Sequence, residues 1–186
     1  MIFQRDGLTV RLLTEADKQL LVQWLSNPSV LAFYEGRDNP HDLDKVNQNF
    51  YEDPDEAVTR CLIEYEQLPI GYIQFYPLDN QSKIDYGYEV NEIIYGTDQF
   101  IGETLYWNRG IGKLLIRSMV AYLCKIKGAH KVIMDPQSWN TRAIRCYESC
   151  GFKKSKHLPK HEWHEGEYKD CWLMEYSEEP HEANTF

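Results

Sequence analysis

The chain has 186 residues, 42% of them hydrophobic and 13% aromatic, and a formal net charge of −9 from 29 acidic and 20 basic side chains. That length suits one compact domain and is short for two. The acidic balance disfavours nucleic acid as a partner, and no run of about 18 apolar residues marks a membrane helix.

The first ten residues, MIFQRDGLTV, lack the basic start and apolar stretch of a secretory leader, so a cytoplasmic protein is expected. Five scattered cysteines form no C-x-x-C pair, which argues against a disulfide framework and against a zinc ribbon. Cys146 and Cys150, four apart, read as small core residues.

In chain order, Leu8 to Leu13 reads as a strand. Thr14, with Asp17 three residues on, starts a helix whose inward stripe is Leu20, Leu21, Trp24 and Leu25, and Asn27-Pro28 stops it. A second helix is predicted from Leu43 to Tyr51. Thr59 to Tyr65 and Ile70 to Tyr76 read as a hairpin, Asp79 to Ser82 as a polar turn, and a further strand falls between Tyr86 and Ile101. Ile111, Leu115, Met119, Tyr122 and Ile126 then recur at helical spacing, with Gly128 as the stop. Lys131 to Met134 is a short strand. A helix opened near Asn140 turns Ala143, Ile144, Tyr147 and Cys150 inward and ends at Gly151-Phe152. Cys171 to Tyr176 is the last strand, and residues 177–186 read as a polar tail after one domain spanning 1–176. Strands dominate the first half and a β-α-β-α-β run the second, which makes an α/β (α+β) domain: a mixed sheet with helices on both faces.

Chemistry enters at Arg109-Gly110-Ile111-Gly112. A G-x-G opening a helix lets backbone approach an anion and aims unpaired N–H groups at it. The amides of Ile111 and Lys113 can cradle a pyrophosphate, with Arg109 and Lys113 adding charge. Alone, such a loop is more often only a turn. A Rossmann loop is excluded because Ile or Leu fills the third glycine position, and a P-loop because G-K-[ST] is missing.

About 28 residues later comes Asn140-x-x-Ala143-x-x-x-Tyr147-x-x-x-Gly151-Phe152. With the glycine loop, this resembles the GCN5-related N-acetyltransferase (GNAT) superfamily, which implies a mostly antiparallel central sheet and acetyl-coenzyme A as cosubstrate. The resemblance implies pyrophosphate on Gly110, Ile111, Gly112 and Lys113, pantetheine on Asn140, and Tyr147 as general acid to the departing thiolate. Trp107 departs from the pattern, since the superfamily loop usually has Gln or Arg there.

The segments Phe33-Tyr34-Glu35-Gly36-Arg37-Asp38, Tyr95 to Glu103, Asp135-Pro136, Arg142 to Tyr147 and His161 to Gly166 go further. They look like aminoglycoside 6′-N-acetyltransferases, over nearly the whole chain from Leu8 to Tyr176. That likeness implies a cationic aminoglycoside partner, with Asp98 beside the reacting amine and Asp135 as another substrate contact.

Residue chemistry points the same way, since a polyammonium sugar calls for carboxylates around a cleft. Asp85, Glu89, Glu92, Asp98 and Glu103 lie within nineteen residues, and a solvated face accounts for about half of them. Asp98 and Asp135 are the strongest candidates. Trp24, Tyr34, Tyr95 and Tyr106 can stack on sugar rings, although core packing is the commoner use of such aromatics. Asp98 would take a proton from the ammonium, directly or through water, and a backbone N–H on the strand before Gly110 would polarise the thioester carbonyl. His157, His161 and His164 with Glu162 and Glu165 do not match H-E-x-x-H, so no metal is expected, and the segment reads as a loop rich in His and Glu near a cationic substrate. Two other readings compete with aminoglycoside acetylation: acetylation of a polyamine or a protein N-terminus, and a non-catalytic acyl-coenzyme A binder. Either a monomer or a homodimer is compatible with the sequence.

Overall fold

The structure is a computed structural model that describes residues 1–52 and 55–178. One sheet lies at its centre. Its strands are β1 (Phe3–Arg5), β2 (Leu8–Leu12), β3 (Thr59–Tyr65), β4 (Leu68–Pro77), β5 (Ile94–Ile101), β6 (Lys131–Met134), β7 (Lys153–His164) and β8 (Glu167–Ser177), ordered β1-β2-β3-β4-β5-β6-β8-β7. Every neighbouring pair is antiparallel except β5 and β6. The helices are α1 (Lys18–Trp24), α2 (Pro28–Leu31), α3 (Leu43–Val46), α4 (Asn80–Tyr86), α5 (Ile111–Lys127) and α6 (Thr141–Glu148).

Strand alternation sends apolar side chains both ways, so the sheet carries a core on each face. On one face Val10, Ile63 and Phe75 pack with Leu115, Met119 and Leu123 of α5. On the other, Leu62, Tyr72 and Phe100 pack with Leu21, Trp24, Val46 and Phe50 from the segment containing α1 to α3. Each large apolar side chain taken from water contributes about 1.5–3 kcal/mol, so both faces hold the sheet in place.

Local chemistry sets the element ends. Thr14 and Asp17 form the expected capping box, and Asp17 also receives a bidentate Arg11 at 2.8 Å. Asn27-Pro28, read as a stop, is also a start: Asn27 Oδ1 accepts from the Ser29 N–H at 2.9 Å, and Pro28 occupies the first turn of α2.

Several expectations need correcting. Asp79 to Ser82 is no simple turn, because Asp79 caps α4 by accepting from the Ser82 N–H and hydroxyl. That helix buries no side chain, so it carries no apolar period to be read. The segment after Gly151, read as a His- and Glu-rich loop, is the long edge strand β7, where only Leu158 and His164 are buried. Its two register shifts against β8 break the alternation. Helix α6 stops at Glu148, which leaves Cys150 beyond it. Ile126, expected in the stripe of α5, is 70% exposed. Most of the expected polar tail, residues 179–186, lies outside the described residues.

Candidate active site

The site exists because two parallel strands part company. β5 pairs with β6 only from Ile94 to Gly96, opposite Lys131 to Ile133, yet β5 runs on to Ile101. Beyond Met134 the chain turns toward β8 through a Gln137–Cys171 bridge. A wedge therefore opens beside Thr97, within a cavity of about 1370 Å³. The bonds Leu78 N–H→Ile94 O and Gly102 N–H→Ile70 O bracket the antiparallel β4–β5 ladder. By the alternation of such a ladder, even-numbered residues bond to β4, and the main-chain groups of Thr97, Gln99 and Ile101 face the opening. The Trp107 indole reaches one of these, donating to the Ile101 carbonyl at 2.8 Å.

Side-chain alternation along β5 then builds two different walls. Asp98 shares the α1–α3 face with Phe100. Its Oδ2 accepts from Gln74 Nε2 at 2.8 Å, and Gln74 Oε1 in turn accepts from the Tyr72 hydroxyl at 2.7 Å. Burial pushes the Asp98 carboxyl up to about 6, with Asp135 and Glu35 raising it further against hydrogen bonds from Gln74 and Tyr76. Around it the cavity is lined by Glu35, Asp38, Asp135 and Glu162. Asp135 accepts from His161 at 3.0 Å, and this bond lifts the imidazole above its ordinary value. Burial likewise raises Glu162, with Asp135 and Asp98 adding to the effect.

The opposite wall suits a polyanion. Gly110 caps α5 with φ of 81°, a left-handed conformation that favours glycine. The first helical bond at this end is Leu114 N–H→Gly110 O, so the amides of Ile111, Gly112 and Lys113 have no partner within the helix. A Cβ added at Gly110 would meet no atom within 4 Å, so the backbone there is open to close approach. The first turn of α5 contains no acid, and Lys113, Arg142 and Arg145 line the adjoining cavity. These features fit the pyrophosphate of a coenzyme. Asn140 Oδ1 is engaged in capping α6 through the Ala143 N–H at 3.2 Å, so Asn140 offers the cleft its amide hydrogens. Tyr147 lies deeper, and burial raises its hydroxyl well above the ordinary range.

The sequence candidates divide accordingly. Asp98, Asp135, Gly110, Gly112, Lys113, Asn140 and Tyr147 all line one cavity. Ile111 contributes only backbone there, because its side chain is 4% exposed in the α5 core. Arg109 is not among the lining residues; its guanidinium lies 5.7 Å from the ring of Tyr106, which is. Tyr95, expected against substrate, is three residues from Asp98 and so on the opposite face, where its ring centroid lies 6.4 Å from that of Phe75. Glu103 also leaves the cleft, accepting from the Trp24 indole at 2.8 Å.

Sequence reasoning did not assign Gln74, Tyr76, Gln99, Glu162 or Arg142 to the site. Gln74 is assigned only by the β4–β5 register, which sets it opposite Asp98. Arg142 lies over the Trp107 and Phe33 rings, 4.3 Å from each centroid. The three histidines do not converge: His157 pairs with Asp170 and His161 with Asp135, while His164 is buried beside Trp139.

A sheet split between two parallel strands, with an anion cradle on one face and carboxylates on the other, defines an acyl-coenzyme A transferase. The acetyltransferase (GNAT) domain model matches residues 14–160, and the chain belongs to this family. It is also 30% identical over 151 residues to an aminoglycoside N(6′)-acetyltransferase type 1 of Klebsiella pneumoniae, spanning 80% of this chain and 75% of that one. Among solved structures, aminoglycoside acetyltransferase AAC(6′)-Ib with ribostamycin and coenzyme A superposes with a TM-score of 0.73 at 26% identity, over 92% of this chain and 94% of that one. A spermidine N-acetyltransferase of Vibrio cholerae with coenzyme A and spermine has a TM-score of 0.74 at 22% identity, over 92% and 95%, and shares the fold.

Proposed function

We propose that this chain is an aminoglycoside 6′-N-acetyltransferase, moving the acetyl group of acetyl-coenzyme A to the 6′-amine of aminoglycoside antibiotics and so conferring resistance. The observation that carries the reading is Asp98: a half-buried, hydrogen-bonded carboxylate at the lip of the β5–β6 wedge, amid further acids, facing the side opposite the anion cradle. Kinship with the Klebsiella enzyme supports the choice of substrate. No helix among the described residues is long and apolar enough to cross a membrane, and we read the protein as cytoplasmic.

The chemistry follows from the walls. An ammonium has no lone pair for attack, so its proton passes to Asp98, directly or through water. Asp98 must be ionised for this, so activity rises with pH through about 6. Lys113, Arg145 and the α5 amides hold the phosphates, and Asn140 holds the pantetheine arm. The Gln99 N–H, facing the wedge, donates to the acetyl oxygen as negative charge develops there. The amine nitrogen bonds to the acetyl carbon and gives up a second proton to solvent, the carbon–sulfur bond breaks with its electron pair on sulfur, and Tyr147 supplies the thiolate with a proton. Juxtaposing the two substrates supplies a large share of the rate.

Free-thiol release from acetyl-coenzyme A, with kanamycin, spermidine and a short peptide as parallel acceptors, tests the reading. Release with kanamycin in clear excess over the others is expected. Release confined to spermidine or peptide would leave family and cosubstrate standing and overturn the choice of acceptor.

A further inference from the structure

One residue beyond Asp98, on the cofactor face of β5, Gln99 donates from Nε2 to the Tyr147 hydroxyl at 2.8 Å. The same nitrogen lies 3.3 Å from Met134 Sδ, and the buried Gln99 Oε1 has no hydrogen-bond partner. These contacts fix which way the amide points. A thioether sulfur accepts weakly and donates nothing. Turning the amide over would set oxygen against sulfur and bury both N–H groups where only a partnerless oxygen now sits, at greater cost.

The sense of that bond decides what Tyr147 can do. Because its oxygen accepts from Gln99, the tyrosine keeps its own proton for a third group, and Tyr147 is one of the residues that line the cavity. Had Gln99 presented its carbonyl instead, the hydroxyl proton would be tied to it and lost to the departing sulfur. We infer that Gln99 is a positioning residue for the acid step, aiming the Tyr147 O–H at the leaving sulfur and steadying the phenolate left when that proton is given up. This rests on the reading of Tyr147 as the general acid. The proton moves from the phenol to the thiolate sulfur, and the phenolate recovers one from solvent. Burial makes that phenolate costly, so a donor bonded to its oxygen matters most at this step. Met134 takes part indirectly, as the acceptor-only neighbour that discourages the flipped amide.

The test uses Gln99→Leu, Gln99→Glu and Tyr147→Phe on the full chain. Acetyl-coenzyme A is compared with the acetyl thioester of an acidic aromatic thiol, whose thiolate leaves without a proton. Gln99→Leu is expected to lower kcat with acetyl-coenzyme A roughly 10-fold or more, the usual scale for a hydrogen bond to a developing charge. The KM for either substrate should hardly move. Gln99→Glu is nearly isosteric and would restore a space-filling role. As a positioning variant it should instead grow worse as pH rises, because the ionised carboxylate captures the Tyr147 proton and repels the phenolate. Both losses should shrink on the activated thioester. Wild-type kcat in Gln99→Glu, or a loss as large on the activated thioester, would overturn the inference. Tyr147→Phe separates the two failures: wild-type turnover there sinks the acid reading itself, whereas an impaired Tyr147→Phe beside a normal Gln99→Glu sinks only the role of Gln99.

Discussion

On the α1–α3 side of β5 the cavity collects Glu35, Asp38, Asp98, Asp135 and Glu162; on the α5–α6 side it collects Lys113, Arg142, Arg145 and the open start of α5. β5 divides the two, since consecutive side chains point to opposite faces: Asp98 to one, Gln99 to the other. The separation has a consequence for the substrates. A polycation and a polyphosphate are each drawn to a different face, and they meet only where β5 and β6 diverge. The two walls also differ in how they are built. The cradle is mostly backbone geometry around Gly110, whereas the acceptor wall is carboxylates brought in from separate parts of the chain. Substitutions in it should change acceptor handling while leaving the cradle intact.

The largest effect is expected from Asp98→Asn. Loss of the proton acceptor should cut kcat/KM for aminoglycoside by about 10³, within the usual 10²–10⁴ for acid–base groups, with KM for acetyl-coenzyme A unchanged in steady-state kinetics. The same change should stabilise the fold. Burial raises the folded-state carboxyl to about 6, so folding binds the proton more tightly than the unfolded chain does. Stability from this group is then present below the unfolded value near 4 and is lost as pH climbs through about 6. At pH 7 the asparagine variant should gain up to roughly 3 kcal/mol in denaturant titrations, at about 1.4 kcal/mol per pH unit.

Next comes Asp135→Asn. It should raise KM for aminoglycoside about 10-fold, the scale of one charged hydrogen bond, and spare KM for acetyl-coenzyme A. It should also lower the titration midpoint of His161, which Asp135 now holds up, as followed by imidazole proton resonances. A rising limb in kcat/KM near pH 6, moved by this change because Asp135 also raises Asp98, would tie the two carboxylates together. The smallest effect is expected from Arg37→Ala. Arg37 clasps Glu165 through two guanidinium nitrogens at 2.6 Å, joining the loop after α2 to the β7–β8 turn. Arg37 is exposed and Glu165 partly so, and only a slight, salt-sensitive rise in acceptor KM should follow.

Much of this was legible because it is written locally. Gly110 before an apolar stripe, Asn140 three residues before Ala143, and Thr14 before Asp17 each act within one helical turn. The acceptor wall was harder because it depends on which residues the sheet sets side by side. Asp98 and Asp135 could be named, but the Gln74 support requires the β4–β5 register, and Tyr95 was misplaced for want of the strand's phase. Glu162 was hidden inside β7, an edge strand so polar and so interrupted by bulges that it read as a loop. Gln99 carried no sequence signal at all, since its role depends on Met134 and Tyr147 arriving from two other elements.

The most direct measurement of the central claim is a kcat/KM comparison between two aminoglycosides that differ only in bearing an amine or a hydroxyl at the 6′ carbon. The account predicts rapid thiol release with the amine, acetylation at that nitrogen by NMR of the product, and negligible turnover of the hydroxyl form despite binding. Equal turnover of the two, or acetyl on another nitrogen, would contradict the placing of the 6′-amine between Asp98 and the thioester.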